Sequence, residues 1–314
     1  MIIRPRYELR VSGRKVRLGE RTLIMGVVNV TPDSFSDAGR FLDPARAIEH
    51  ALELARHGAD WIDVGGESTR PGSKPVTVEE ELRRVLPVIR GLYSRRPSLP
   101  ISIDTTKSQV AEEAVRAGAA IINDVSGLRF DPRLAEVARR HRTPLILMHL
   151  RGRPLTMQQK PFARSIWRSL EQGLASSVRR ALNAGVRRSQ LILDPGLGFG
   201  KSRRQNYQIL AGLVRLQSFR LPVLVGTSRK SFVQAVVAGE RLAPMGVKQS
   251  GREVWPLASG SRAGQAPPLQ IGDAAAVAAS ILAGAHIVRV HDVEAALPAV
   301  RIADAVLAAG RSER

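Results

Sequence analysis

Short apolar runs alternate with longer amphipathic stretches along most of the chain. The runs are rich in Ile, Val and Leu and end in polar residues. There are eight of them: TLIMGVVN (22–29), WIDVG (61–65), PISID (100–104), AIIND (120–124), PLILMH (144–149), LILD (191–194), PVLVG (222–226) and HIVRVHD (286–292). Such runs are typical of parallel strands that are buried on both faces. Eight strand–helix units predict an α/β fold of the (β/α)8 TIM-barrel type.

The stretches between the runs carry helix signals. Asp43 followed by Pro44 predicts an N-cap and a first helical residue. Thr77 with Glu80 three residues later predicts a capping box. The stretch GDAAAVAASILAGA (272–285) predicts a helix of small residues that suits close packing.

Two segments fall outside this alternation. Residues 1–20 alternate apolar and polar positions around Ser12 and Gly13, which predicts a β-hairpin that closes one mouth of the barrel. Residues 240–271 are rich in Pro, Gly and Ser and lack periodicity, which predicts a long insertion between strands 7 and 8: a mobile lid, a surface insertion or a locally disordered stretch. The prediction is therefore one domain over residues 1–314.

Composition narrows the classes of function. The chain has 314 residues, of which 44% are hydrophobic and 24% are charged, as in a globular protein. It contains no cysteine, which excludes disulfides, thiolate nucleophiles and cysteine-ligated metal sites. The charged N-terminal stretch has no apolar signal segment, and no apolar run is long enough to span a bilayer, so we expect a cytoplasmic protein without a membrane partner.

The net charge of +20 leaves several kinds of partner open. Arginines are spread along the predicted helices and only 4% of residues are aromatic, so a solvated basic face is the simplest interpretation. A nucleic-acid partner is the alternative, which the lack of a recognition motif disfavours.

Polar residues stand at the end of nearly every apolar run. The active site of this kind of barrel lies at the carboxyl ends of its strands, so these residues are expected to meet. One group suits the alternating donors and acceptors of a flat heterocycle: Asp104, Asn123, Asp194 and Lys230. A second group suits phosphate oxygens, with an amide for a magnesium ion: Arg70, Arg289, His291 and Asn29. A heterocycle that carries a diphosphate fits both groups.

The stretch DPGLGFGKS (194–202) is similar to a nucleotide-binding loop but lacks its spacing. Pro195 stands where the phosphate loop requires a glycine, and the dinucleotide pattern would require a glycine at Lys201. We therefore expect a tight turn that is unrelated to phosphate, in which Lys201 matters least.

Eight stretches together resemble, in order and spacing, the motifs of the dihydropteroate synthase family. They are MGVVNVTPDSFSDAGRF, WIDVGGESTRPGS, ISIDTTK, AIINDVSG, LMH, LILDPGLGFGK, VGTSRKSF and AHIVRVHDV. The resemblance extends over most of the chain, from about residue 22 to residue 293. The resemblance implies condensation of 6-hydroxymethyl-7,8-dihydropterin diphosphate with 4-aminobenzoate, with release of diphosphate, by a dissociative displacement. It also implies Mg²⁺ as cofactor and a homodimer formed through the late helices.

The resemblance also implies a role for individual residues. The residues implied for the pterin are Asp104, Asn123, Met148, Asp194 and Lys230. Those implied for the diphosphate are Asn29, Thr69, Arg70, Arg289 and His291, with Asn29 also on the metal. Those implied for 4-aminobenzoate are Phe35, Thr69, Pro71, Phe199 and Ser228. The catalytic set is Arg70, Lys230, Arg289 and His291.

Other interpretations stay open for particular residues and for the whole chain. Asp104 could cap the following helix, Asp194 could initiate a turn, and His149 could be a structural histidine. Two residues depart from the family pattern: Ala38 could stiffen the first loop, and Asp273, which follows the insertion, leaves the loop geometry around strand 7 open. The alternative functions are a pterin-binding methyltransferase of the corrinoid type and a basic binding protein without activity.

Overall fold

The computed structural model describes residues 4–31, 43–69, 72–157, 163–239 and 269–310. Its first element is an antiparallel hairpin of strands β1 (Tyr7–Val11) and β2 (Arg14–Leu18). Ser12 and Gly13 form the two-residue turn, and both have positive φ (48° and 75°), as the favoured hairpin turn requires. The predicted hairpin is therefore confirmed.

Eight parallel strands follow and form the barrel. They are β3 (Leu23–Asn29), β4 (Trp61–Gly65), β5 (Ile101–Asp104), β6 (Ile121–Asp124), β7 (Leu145–Met148), β8 (Leu191–Asp194), β9 (Leu224–Gly226) and β10 (Ile287–Val290). The order is β8-β7-β6-β5-β4-β3-β10-β9. A parallel bridge between Leu193 and Val223 joins the two outer strands, and the Leu193 amide donates to the Pro222 carbonyl at 2.9 Å. All eight predicted strands are confirmed.

The helices surround the sheet. They are α1 (Pro44–Arg56), α2 (Val78–Arg95), α3 (Ser108–Arg116), α4 (Leu134–His141), α5 (Ile166–Asn183), α6 (Arg203–Ala211), α7 (Ser231–Val237), α8 (Leu269–Leu282) and α9 (Val293–Ala309). Short 3₁₀ segments lie at Arg188–Gln190 and Leu213–Phe219. Across the described ranges, every helix is too short or too polar to cross a lipid bilayer.

The helix caps agree only in part with the sequence signals. The Asp43 side chain accepts from the Ala45 amide at 2.9 Å, and Thr77 accepts from the Glu80 amide at 3.2 Å, so both N-caps are confirmed. The second half of the predicted capping box is wrong. Arg83 and Arg84 donate to the Glu80 carboxylate at 2.8 and 2.7 Å, because guanidinium groups one turn away are stronger donors than a neutral backbone amide.

The predicted insertion 240–271 ends earlier than expected. Residues 240–268 lie outside the described residues, but 269–271 form the first turn of α8. A glycine at position 272 favours a loop in the sequence, but in the structure it lies within helix α8. A Cβ on Gly272 would lie 2.2 Å from the Val237 side chain, so this glycine allows α8 to pack closely against α7.

Two apolar layers hold the barrel. The larger layer lies between the strands and the helices. The second, which we call the inner cluster, fills the amino end of the barrel and includes Leu9, Val11 and Leu18 of the hairpin. Its barrel members are Leu23, Met25, Trp61, Ala120, Ile121, Ile146, Ile192, Leu224 and Ile287. The hairpin therefore closes the amino end, which leaves the carboxyl end for the site.

Candidate functional site at the carboxyl end of the barrel

Strand alternation places the predicted site residues inside the barrel. Side chains two residues apart lie on the same face of a strand. Ile121, Ile146, Ile192 and Ile287 belong to the inner cluster, and two residues after each of them come Asn123, Met148, Asp194 and Arg289. Register adds the lateral order, because Asp104 pairs with Asn123 and Met148 pairs with Asp194 across neighbouring strands. The carboxyl end of the barrel is therefore polar directly above an apolar layer.

A network of ions and amides occupies this polar layer. Arg289 donates from Nε to Asp63 Oδ2 at 2.6 Å and from a terminal nitrogen to Asp104 Oδ2 at 2.8 Å. Asn123 Nδ2 donates to the same Asp63 oxygen at 3.0 Å. Asp63 is fully buried, and its Oδ1 has no hydrogen-bond partner. Arg289, which the resemblance assigns to the diphosphate, is thus held among the residues assigned to the pterin.

Asp63 is a site residue that the sequence analysis missed. A signal was present, because Asp63 lies two residues after Trp61 of the inner cluster and therefore points into the barrel. Asp63 lies in the middle of an apolar run, whereas the sequence signal for the site is a polar residue toward the end of a run. A lone acid on the inward face of an otherwise apolar strand needs a buried cation, and Arg289 supplies it.

Burial and mutual charge shift the pKa values of the network. Burial raises the pKa of Asp104 to about 8 against the effect of Arg289, and Asp63 adds to the rise. Burial and the positive charge of Arg289 lower the pKa of Lys230 to about 8. Burial also raises the pKa of Asp194, against its bond from the Gly196 amide and the charge of Lys230. Perturbed groups of this kind in a cleft are typical of a functional site.

A cavity of about 560 Å³ opens next to this network. Several of the predicted residues line it: Asn29, Thr69, Phe199, Ser228, Lys230, Arg289 and His291. Lys230 Nζ lies 4.0 Å from the centroid of the Phe199 ring, a cation–π contact. Met148 packs with Phe199, Val125, Leu150 and Met157 in a small apolar cluster. Met157 also lines the cavity, and no sequence motif had indicated it.

The loop after β9 is held by the residue that departs from the family pattern. Asp273 of α8 accepts from Ser228 Oγ at 3.1 Å and from the Arg229 amide at 2.9 Å. His291 Nδ1 lies 3.3 Å from the same Ser228 hydroxyl. Arg229 is exposed and has a φ of 57°. Asp273 therefore fixes the loop after β9, whose geometry the sequence had left open. Its bond to Ser228 also holds that hydroxyl close to His291.

A partly buried ion cluster anchors the loop that leads to Thr69. Lys107 pairs with Glu67 and, at 2.5 Å, with Glu81. Arg84 donates to the Gly66 carbonyl at 2.8 Å. These contacts fix the start of the β4–α2 loop. The predicted residues Phe35, Arg70 and Pro71 lie outside the described residues.

The structure decides between the alternatives for two acids. The N-cap position of α3 is Lys107, and Asp104 makes its contact with Arg289 instead, so the capping interpretation of Asp104 is wrong. Asp194 does initiate a turn, since its Oδ1 accepts from the Gly196 amide at 2.6 Å. Asp194 therefore both initiates this turn and lies close enough to Lys230 for their charges to interact.

Two further residues have clear structural surroundings. His149 is buried, its Nδ1 has no hydrogen-bond partner, and burial lowers its pKa to about 2. It is therefore a neutral histidine at the pH of the cell. Lys201, expected to matter least, is instead only 2% exposed and bonds to three backbone carbonyls. The sequence carries no signal for this burial, because the three carbonyls come from two loops that only the folded chain brings together.

The described part of the chain holds no group of three His, Cys, Asp or Glu side chains suited to a metal. A site there for Mg²⁺ would have to rely on an amide such as Asn29, with further oxygens from a ligand and water, which is a common arrangement for this ion.

Comparisons with known proteins agree with this geometry. A family model described as "Pterin binding enzyme" matches residues 25–291. A dihydropteroate synthase from Synechocystis sp. is 42% identical over 288 residues, which cover 92% of this chain and 91% of that protein.

Two solved structures share the fold over nearly the whole chain. A Xanthomonas albilineans dihydropteroate synthase with 4-aminobenzoic acid has a TM-score of 0.80 at 39% identity, covering 96% of this chain and 98% of that one. A second Xanthomonas albilineans structure, in complex with 7,8-dihydropteroate, has a TM-score of 0.76 at 37% identity, with the same coverage. The chain belongs to the dihydropteroate synthase family of pterin-binding enzymes.

Proposed function

We propose that this chain joins 6-hydroxymethyl-7,8-dihydropterin diphosphate to 4-aminobenzoate and releases 7,8-dihydropteroate and diphosphate. One observation carries the proposal: the buried network of Asp63, Asp104, Asn123 and Arg289 adjoins a cavity that Lys230, Phe199 and His291 line. The network offers hydrogen-bond groups to a flat heterocycle, and the cavity leaves room for a second substrate and an anion. The names of the relatives, and the ligands in the titles of the two solved structures, support the same reaction.

In this proposal Asp104, Asn123, Asp194 and Lys230 bind the pterin, and Met148 packs against its ring. Asp104 and Asp194 are buried acids with raised pKa values, so each can share a proton with a ring N–H or amino group. Asp63 holds Arg289 and Asn123 in place, and its unpartnered Oδ1 is a further acceptor at the same level.

The diphosphate is proposed to lie toward Asn29, Thr69, Arg70, Arg289 and His291. Four of these five line the described cavity, and Arg70 follows Thr69 directly. Asn29 would hold Mg²⁺ through its amide oxygen while the ion keeps waters and diphosphate oxygens. When bound, the ion offsets negative charge on the departing diphosphate.

The 4-aminobenzoate is proposed to lie against Phe199, with Ser228, Thr69 and the stem of Lys230 around it and with Phe35 and Pro71 contributed by the flanking loops. Phe199 and Lys230 are already stacked, so the ring of a second substrate meets a rigid wall. Holding the aniline nitrogen close to the reacting methylene makes the attack effectively intramolecular.

The residues of this site supply electrostatics and positioning rather than a covalent nucleophile. Arg289 and His291 stabilise charge that develops on the leaving diphosphate, and the buried acids stabilise positive charge on the pterin. Closure of the cavity around both substrates keeps water from the methylene cation. A large normal secondary deuterium isotope effect at the methylene carbon would support this dissociative course, and an effect near unity would contradict it.

A homodimer through the late helices is also part of the proposal. The outer faces of α8 and α9 expose large apolar side chains, among them Ile271 (66%), Ile302 (67%) and Val306 (46%). Covering such side chains with a second copy of the chain would remove apolar surface from water.

The test is a turnover assay with purified protein. The pterin diphosphate, Mg²⁺ and 4-aminobenzoate are expected to give diphosphate and 7,8-dihydropteroate in equal amounts. Pterin binding without any product would favour the methyltransferase alternative, and the absence of both would leave a binding protein of another kind.

A further inference from the structure

Lys201 occupies an unusual position for a lysine. It follows β8, directly before the N-cap residue Ser202 of α6, and it is 2% exposed. Its Nζ donates to the carbonyl oxygens of Gly196 at 2.7 Å, His149 at 2.9 Å and Phe199 at 3.1 Å. An ammonium group has three N–H donors, so these three carbonyls satisfy all of them.

The three carbonyls come from two separate loops. Gly196 and Phe199 belong to the loop after β8, and His149 belongs to the loop after β7. The loops approach very closely: a Cβ on Gly196 would lie 2.2 Å from the His149 carbonyl oxygen, and one on Gly200 would lie 2.3 Å from the Arg151 carbonyl oxygen. Carbonyl dipoles that converge in this way repel one another unless a donor stands between them. Lys201 is that donor.

A buried ammonium is a costly way to join two loops. Burial lowers the pKa of Lys201 to about 7, while the Asp194 carboxylate opposes this shift. A neutral glutamine amide would avoid the desolvation of a charge, but it has only two N–H donors for the three carbonyls. The ammonium group of lysine therefore matches the number of carbonyls that the two loops present.

The loop that Lys201 holds forms one wall of the cavity. Gly198 and Phe199 both line it. The Phe199 ring lies under Lys230 Nζ, and a Cβ on Gly198 would lie 3.1 Å from Lys230 Cδ. The Gly198 amide is itself fixed by Asn206 Oδ1 at 2.7 Å. The position of the loop thus sets both the aromatic wall and the course of the Lys230 side chain.

We propose that Lys201 is a positioning residue for the second substrate: by joining the loops after β7 and β8 it holds Phe199 and the stem of Lys230 where 4-aminobenzoate binds. This inference rests on the proposed function. Two residues of the pterin group, Asp104 and Asn123, are held separately, by Arg289 and Asp63, and only Asp194 bonds to the Gly196 amide of the loop that Lys201 holds. Loss of the Lys201 ammonium should therefore act on the second substrate more than on the first.

The test compares substrates in Lys201→Met, which keeps the length of the side chain and removes the donors. The KM for 4-aminobenzoate is expected to rise at least tenfold. The dissociation constant for the pterin diphosphate, measured by direct binding, and kcat should stay within threefold of the parent. Lys15→Met is the matched control, because Lys15 is an exposed lysine of the hairpin at the opposite mouth of the barrel. We expect its KM, kcat and pterin dissociation constant to equal those of the parent.

Two further variants separate positioning from simple stabilisation. The chain has no cysteine, so Lys201→Cys can be alkylated with 2-bromoethylamine in denaturant and refolded, which rebuilds an ammonium at this position. In this product the KM for 4-aminobenzoate should fall most of the way back to the value of the parent protein. In the double variant of Lys201→Met with Phe199→Leu, the effects on KM should be clearly less than additive if Lys201 acts through Phe199.

The contrary results are distinct from a failure of the proposed function. If the parent protein makes no dihydropteroate, the proposed function fails. If the parent is active but the KM for 4-aminobenzoate in Lys201→Met stays within twofold of the parent, the positioning role is overturned, whatever the melting temperature does. Lys201→Gln serves as a back-up in case Lys201→Met does not fold. If neither variant folds, Lys201 is required for stability and the proposal is likewise overturned.

Discussion

The two ends of the barrel interior are built from the same strands in opposite ways. At the amino end, inward residues such as Trp61 and Ile121 pack under the hairpin in a wholly apolar layer. Two residues further along these two strands, about 7 Å away, the inward positions hold the acid Asp63 and the amide Asn123. The amino end gains stability from apolar burial, whereas the carboxyl end keeps buried charges whose desolvation costs stability. The predictions below test this division.

The largest effect is expected from Lys230→Met at the polar end. Lys230 stands between Phe199, Asp194 and Arg289, so its loss should lower kcat/KM by about a thousandfold, in the range found when a preorganised charged group is removed. Its pKa is lowered by burial, so the variant should unfold at the same temperature as the parent or higher. Steady-state kinetics and thermal unfolding check this, and a loss of less than tenfold would remove Lys230 from the site.

Arg289→Met is expected to affect both properties. The guanidinium is the cation that bonds to the buried carboxyl groups of Asp63 and Asp104, so its removal should lower kcat/KM at least a hundredfold and the free energy of unfolding by about 3 kcal/mol at neutral pH. Steady-state kinetics and denaturant unfolding at neutral pH measure the two changes. Unchanged stability at neutral pH would mean that Arg289 does not hold the network.

Met25→Ala tests the apolar end. Met25 is fully buried in the inner cluster, so truncation should lower the free energy of unfolding by about 2–5 kcal/mol. The kcat of the folded variant should stay within twofold of the parent, because the cluster lies below the site. A kcat that falls together with stability would contradict the division between the two ends.

A smaller effect is expected from Asp104, on the way the free energy of unfolding depends on pH. Its pKa is raised to about 8 in the folded protein, mainly by burial and also by the acids Asp63, Glu81 and Asp124, against the effect of Arg289. Between its unfolded pKa and 8 the folded state binds the extra proton, so this group makes stability fall as pH rises through that window. Asp104→Asn should remove that slope. Equal slopes in the parent and the variant would show that Asp104 is ionised when folded.

The smallest effect concerns Mg²⁺. If Asn29 contributes one oxygen among several, Asn29→Ala should weaken diphosphate binding only severalfold, and only when Mg²⁺ is present. Calorimetric titration with diphosphate, with and without Mg²⁺, measures this difference. An equal loss under both conditions would place Asn29 on the diphosphate rather than on the metal.

Much of the fold and part of the site could be predicted from the sequence. The eight strands were found because apolar runs of this kind have few alternatives, and Asn123, Asp194 and Arg289 were found because they end such runs. Asp63 was missed because it lies within a run, and its meaning depends on Arg289, 226 residues away. The burial of Lys201 could not be predicted, because its three carbonyl partners come together only after two loops fold. Local patterns predict elements, whereas buried partnerships depend on tertiary contacts.

The most direct test of the division is a matched pair on strand β6. Ile121 and Asn123 face the same way two residues apart, one in the inner cluster and the other in the network. Ile121→Ala should lower the free energy of unfolding by about 2–5 kcal/mol and leave kcat/KM nearly unchanged. Asn123→Ala should lower kcat/KM at least a hundredfold and the free energy of unfolding by only about 1 kcal/mol. If both substitutions lowered activity and stability in the same proportion, the two ends would not divide these tasks.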